Sequence, residues 1–306
     1  MAPAPLQASV KVRAAAISLI TGLAILGLKV AAYLLTGSVA LLSDAAESVV
    51  NVIAANVALI SLVVAVQPPD ESHQYGHAKA EYVSSATEGA MIAAAGVWIV
   101  LTAVNRLINP QPLDRLPLGL LLLAAAAVAN LAVAMLLLRI SRAQHSIALE
   151  ASARHLLSDV ITSAGVFVGL GLVTLTGWGL LDAIAAGIVG GNIIWMGGAL
   201  YRRSVAGLMD ARLPEDEEAK ILAVFDAHRD EIVEYHAMRT RQAGADRFLD
   251  LHLVLHRSLS VGQAHDLTDH LEEHISQVLP GVDVTIHVEP CGETCPRCGA
   301  LTPRRA

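Results

Sequence analysis

The chain has 306 residues, 54% of them hydrophobic and 16% charged, with a mean hydropathy of +0.55. That balance excludes an ordinary water-soluble globule of this length and points to an integral membrane protein. A formal charge of −7 and a pI near 5.9 exclude a nucleic-acid partner held by basic charge.

Six apolar stretches, each long enough for a hydrocarbon core that needs about 20 helical residues, occupy the first two thirds of the chain. They run over Ala14–Leu35, Val39–Val66, Glu81–Leu107, Leu116–Leu138, Ile147–Thr176 and Leu180–Tyr201. The first is no cleaved signal peptide, because no small-residue cleavage pattern follows it and the next span begins almost at once. Alanine, valine, leucine and glycine dominate, as suits helices whose backbones approach closely. Lys11, Arg13, Lys79, Arg139, Arg142, Arg202 and Arg203 fall on one side of a six-span arrangement. The positive-inside bias therefore predicts that both termini are cytoplasmic. Lys29 is the exception inside span one, and its long stem can carry the ammonium toward an interface.

After about residue 206 the composition changes, and more than half of the 28 acidic residues and two thirds of the 12 histidines lie between Gly207 and Pro290. Pro214-Glu215-Asp216-Glu217-Glu218 opens a helix that runs to about His228, with carboxylates at the positive end of its dipole. Two strands, Ile232–Arg241 and Arg247–His256, follow with a short connection through Gly244, and Leu251, Leu253 and Leu255 alternate with His252, Val254 and His256. A helix over Val261–Leu279 ends at Pro280-Gly281, and a last strand covers Val282–Glu289. The expected fold is thus an α-helical membrane domain of six spans (1–206) and an α/β, αββαβ ferredoxin-like cytoplasmic domain (207–290). A cysteine-containing tail (291–306) completes the chain.

Ionisable residues deep in apolar helices carry the functional signal, because each costs about 2.5–3.5 kcal/mol at a bilayer centre unless compensated. Span two holds Glu47 and Asn51, and span five holds His155 and Asp159; spacing of four puts each pair on one helical face. Together they offer two carboxylates, an amide and an imidazole, a four-coordinate shell suited to a divalent transition metal. The alternative is that these groups simply hydrogen-bond to one another across the helices. Asp44, three residues before Glu47, reads as a ligand or a group just outside the ligands, or otherwise as a helix-end or gating contact. A second cluster, Asp70, His73 and His77, occupies the loop after span two. In the terminal module His236, His252, His265 and His287 come from separate elements, with Glu289 two residues beyond His287, and could converge on an ion. His256, His270 and His274 read as surface residues. Cys291, Cys295 and Cys298 form C-x3-C-x2-C, a thiolate set that lacks a fourth ligand.

With these residues on the page, the chain resembles the cation diffusion facilitator family of divalent-metal transporters over nearly its whole length. The resemblance rests on Gly37-Ser38-Val39-Ala40-Leu41-Leu42-Ser43-Asp44-Ala45, on His73-Gln74-Tyr75-Gly76-His77-Ala78-Lys79-Ala80-Glu81, and on His155-Leu156-Leu157-Ser158-Asp159. In the terminal module it rests on Leu208-Met209-Asp210, Arg239-Thr240-Arg241-Gln242-Ala243-Gly244, Gln263-Ala264-His265 and Ile286-His287-Val288-Glu289-Pro290. It implies a homodimer in the lipid bilayer that exports a cytosolic divalent cation, zinc first among zinc, iron, cobalt, nickel, manganese and cadmium, in exchange for protons. It further implies a transport site at Glu47, Asn51, His155 and Asp159, a loop site at Asp70, His73 and His77, and a regulatory site at His236, His252, His265, His287 and Glu289. Lys79 and Asp210 take positions whose ion pair helps hold family dimers together. One departure stands out. Where the family carries Asp-x-x-x-Asp or His-x-x-x-Asp, this chain has Glu47-x-x-x-Asn51, a less negative pair.

The competing reading is a membrane-embedded metal sensor or scaffold that binds ions without moving them. A membrane metallo-hydrolase would need a catalytic motif, and neither a nucleophile elbow nor His-Glu-x-x-His is present, so an enzyme is not expected. A compact chain without a long histidine-rich loop suits a bacterial inner membrane.

Overall fold

The computed structural model describes residues 5–36, 39–109, 117–178, 180–293 and 295. The chain divides into a helical unit ending at Leu208 and a second unit beginning at Met209.

The helical unit contains α1 (Pro5–Thr36), α2 (Val39–Ala65), α3 (Ala80–Ile108), α4 (Pro117–Gln144), α5 (Ile147–Thr176) and α6 (Leu180–Leu208). Among the described residues five of these are long and apolar enough to cross a membrane, and α2 contributes the apolar stretch Asn51–Ala65. Large apolar side chains such as Leu34, Trp98, Val128, Ile188 and Trp195 point outward and are more than half exposed. In water such a surface would be costly, whereas hydrocarbon matches it. The interior is instead lined by small residues, among them Ala14, Ala58, Ala134, Ala148 and Ala151. Helices α4 and α6 run past the expected ends at Leu138 and Tyr201, so that Arg139, Arg142, Arg202 and Arg203 lie on helices rather than in loops. The hydropathy pattern marks where apolar character stops, while the backbone hydrogen bonds continue.

Close approach of α3 and α6 depends on glycine. A Cβ at Gly197 would stand 2.5 Å from the Ala93 nitrogen, and one at Gly96 would stand 2.8 Å from the Ile194 nitrogen. Backbones this near gain dispersion contacts and weak Cα–H···O interactions, which drive association where lipid removes the hydrophobic effect. Where α1, α3 and α5 begin, Lys11 Nζ donates to Glu81 Oε1 at 2.8 Å, Ser146 Oγ donates to Glu81 Oε2 at 2.6 Å, and the Ala148 amide reaches Oε2 at 3.4 Å. Ser146 is also the N-cap of α5. A buried carboxylate thus ties together an ammonium, a cap hydroxyl and a helix N-terminus, which is how burial of its charge is offset.

The second unit contains α7 (Glu215–Ala227), β1 (Glu234–Ala243), β2 (Asp246–Leu255), α8 (Val261–Val278) and β3 (Val282–Pro290). The three strands lie in the order β1-β2-β3, with β1 antiparallel and β3 parallel to β2. Leu249, Leu251, Leu253 and Leu255 alternate along β2 and are essentially buried against Ile221 and Phe225 of α7 and Leu271 and Ile275 of α8. Both helices therefore cover one face of the sheet, and the residues between those leucines look out from the other. Ser260 and Gln263 form a capping box that starts α8. Arg247 makes a bidentate contact with Glu217 at 2.7 and 2.6 Å, and that hydrogen bonding raises the guanidinium pKa further.

Candidate metal sites

The polar residues of α2 and α5 meet inside the helical unit. Asn51 Nδ2 donates to Asp159 Oδ2 at 2.8 Å, and Asn51 Oδ1 lies 2.9 Å from His155 Nε2. With the amide oriented this way, Nε2 is the nitrogen that carries the hydrogen. Asn51 therefore bridges the imidazole and the carboxylate and offers each the complementary group. The spacing of four along α5 aims His155 and Asp159 at the same partner. Glu47 and Asp44 lie on α2, and their side chains fall outside the described residues.

Asn130, on α4, is not among the ligands expected from the sequence, yet its Nδ2 reaches Asp159 Oδ2 at 3.4 Å. A single asparagine within the alanine-rich run was the available signal. Glu88 was missed too. It is 1% exposed on α3, accepts from Ser152 Oγ at 3.0 Å, and its Oε2 has no hydrogen-bond partner among the described residues.

The loop cluster forms a turn around Asp70. Its Oδ1 accepts from the amides of Ser72 at 2.9 Å and His73 at 2.6 Å and lies 3.2 Å from His73 Nδ1; Oδ2 lies 3.3 Å from His77 Nε2. The His73 amide above all, with the Ser72 hydroxyl next, lowers the Asp70 pKa to about 2. His73 and His77 rings stand 4.5 Å apart, and the three ligand groups gather within 4.8 Å. His77 Nδ1 is buried without a partner among the described residues.

On the open face of the sheet, pairing places His236 opposite His252 and His252 opposite His287, a row of three imidazoles across three strands. Ring centroids are 5.2 and 4.8 Å apart. A bulge between His236 and Arg239, with Ala237 at φ 50, turns the strand immediately after the first of them. Glu289 closes the group: its Oε1 is 2.8 Å from His252 Nδ1 and 3.9 Å from His287 Nε2, and its Oε2 is 3.6 Å from His236 Nε2. His236, His252 and Glu289 gather within 4.8 Å. His265 is placed elsewhere, on exposed α8 beside Asp269 at 3.4 Å. It belongs to the helix side of the sheet, so the structure does not bring it to the other four. Lys79 Nζ reaches the Leu208 carbonyl at 3.5 Å, and Asp210 lies 3.7 Å from Arg241. Cys291 is engaged in a disulfide, so the expected set of three thiolates does not form; Cys295 is a free thiol and Cys298 lies outside the described residues.

The chain matches the family model for the cation efflux transmembrane domain over residues 15–209 and that for the cation efflux protein cytoplasmic domain over residues 213–291. It is 43% identical over 276 residues to an uncharacterized transporter of Synechocystis sp., covering 90% of this chain and 89% of that one. It is 33% identical over 267 residues to the cation-efflux pump FieF of Klebsiella pneumoniae, covering 87% and 88%. Among solved structures, the zinc form of CzrB is 42% identical, covers 28% of this chain and 96% of that one, and gives a TM-score of 0.26. The metal-bound C-terminal domain of the CzcD transporter from Thermotoga maritima is 30% identical, covers 26% and 92%, and gives 0.24.

Proposed function

The chain belongs to the cation diffusion facilitator family of multi-pass membrane transporters, and from that membership we propose that it carries a divalent transition-metal cation, zinc first, out of the cytosol in exchange for protons. The observation that carries the reading is the Asn51, His155 and Asp159 cluster, with Asn130 behind it, inside an apolar bundle. A carboxylate, an imidazole and an amide oxygen form a borderline donor set that suits zinc and its neighbours in the first transition row better than magnesium or calcium. Glu47, one turn before Asn51 on α2, supplies the fourth ligand and the second negative charge.

Proton exchange follows from what the ligands do without the ion. With no metal, the Asn51 amide pairs with both His155 Nε2 and Asp159 Oδ2, which offsets much of the cost of holding them in hydrocarbon. An incoming cation needs a lone pair on the imidazole and a bare carboxylate. Binding therefore breaks the bridge through Asn51 and discharges any protons the ligands hold. Protons arriving from outside reverse the exchange and restore the bridge. The bundle opens this site alternately to the two sides, with both termini in the cytoplasm of a bacterium and two copies of the chain paired. Asp70 with His73 and His77 forms a peripheral ion site. His236, His252, His287 and Glu289 form the regulatory one, with His265 contributing only through a rearrangement or a second copy.

The test is metal flux into proteoliposomes under an imposed pH gradient. Uptake of zinc that collapses with the gradient and is lost in Asp159→Ala supports the antiporter. Folded dimer that binds zinc without flux supports the sensor reading instead.

A further inference from the structure

We propose that His228, His270 and His274 form an additional binding site for a divalent d-block cation of the zinc type, on the helix side of the sheet. Their ligand nitrogens lie within 4.8 Å of one another. His270 and His274 stand one turn apart on α8 with ring centroids 4.1 Å apart, and both rings face His228 at 5.4 and 4.9 Å. The site draws on two elements remote in sequence, so helix periodicity alone does not account for it.

His228 is the anchor. It is the C-cap of α7 and only 8% exposed, and its Nδ1 donates to the Val224 carbonyl at 2.8 Å. That bond satisfies one of the last carbonyls of the helix. It also fixes the tautomer, leaving the lone pair on Nε2, the arrangement in which a backbone carbonyl orients a metal-binding imidazole. Nε2 makes no hydrogen bond to another described group. None of the three rings has an ion pair with a described carboxylate, which distinguishes them from the sheet-face histidines that share Glu289.

Zinc–imidazole bonds of about 2.0–2.1 Å put tetrahedral ligand nitrogens about 3.3 Å apart. Binding thus draws the nitrogens together by at most about 1.5 Å, within reach of side-chain rotation. Three histidines leave a fourth position for water or another ligand. The leucine row of β2 separates this site from the sheet-face cluster. An ion here would clamp the end of α7 to α8 and stiffen the helical layer that backs the sheet.

The experiment uses the full-length protein in detergent micelles with cobalt(II) as the probe, counting bound ions per chain and recording absorption. His270→Gln combined with His274→Gln should bind one ion fewer per chain than the unaltered protein. His274→Cys should keep the count and add a near-ultraviolet thiolate-to-cobalt band, which an unaltered histidine site lacks. An unchanged count in the folded double variant, or no such band in folded His274→Cys, overturns the site. Should the double variant fail to fold, the His274→Cys spectrum decides alone.

Discussion

The cluster inside the helical unit and the histidine row on the sheet face use nearly the same donor chemistry under opposite constraints. Within the bundle, His155, Asn51 and Asp159 satisfy one another at 2.8 and 2.9 Å because hydrocarbon offers no other partner. On the sheet, His236, His252 and His287 are held in line by strand register, and only His252 lies within hydrogen-bond distance of Glu289, at 2.8 Å. This face is open to solvent, and His287 is about two thirds exposed. On the proposed transport reading, a site that must release its cargo needs an internal substitute for the ion, a part the Asn51 amide would play, whereas a site that only reports on the ion could leave its ligands wet.

The sharpest way to break this contrast is to compare Asp159→Ala with His252→Gln in the same flux assay. The first should reduce flux to that of empty vesicles, a loss of a hundredfold or more. The second should cost about fivefold, the lower end of an allosteric coupling. Equal losses would erase the distinction between cargo and regulatory ions.

Next in size is Lys11→Met, which strips the ammonium from buried Glu81 while its hydroxyl and amide donors stay. Removing one member of a buried pair should destabilise the bundle by about 3–5 kcal/mol, measured by thermal unfolding in detergent. Adding Glu81→Gln should recover part of the loss, and failure to do so would point to packing of the lysine stem rather than charge. A smaller effect is expected from Asn51→Asp, which sets a second carboxylate against Asp159. The site gains a full negative charge and a stronger oxygen donor, so zinc affinity should rise about tenfold, worth about 1.4 kcal/mol. An unchanged affinity would mean that Asn51 is not beside the bound ion.

The smallest effect lies in the loop. The Asp70 pKa falls from 3.8 to about 2 in the folded protein, so its carboxylate favours the turn at all pH values above 3.8. That contribution is lost as pH falls through about 2. The amide signals of Ser72 and His73 should shift over this window, and Asp70→Asn should remove the titration.

Much of this was legible in the chain itself. Apolar runs of membrane length, the turn glycines and the alternating leucines of β2 fixed the element order, since each depends on local period and on the solvent that a face must meet. The spacing of four in Glu47/Asn51 and His155/Asp159 put each pair on one face for the same reason. Tertiary structure alone decided the rest. That Asn130 joins Asp159, that Lys11 neutralises Glu81, that His265 stands apart from the sheet histidines and that His228 meets His270 and His274 are all matters of which helix lies against which strand or helix. Periodicity sets the direction in which a side chain points from its own axis. It carries no information about the axis opposite, and a metal site, like a buried ion pair, exists only between the two.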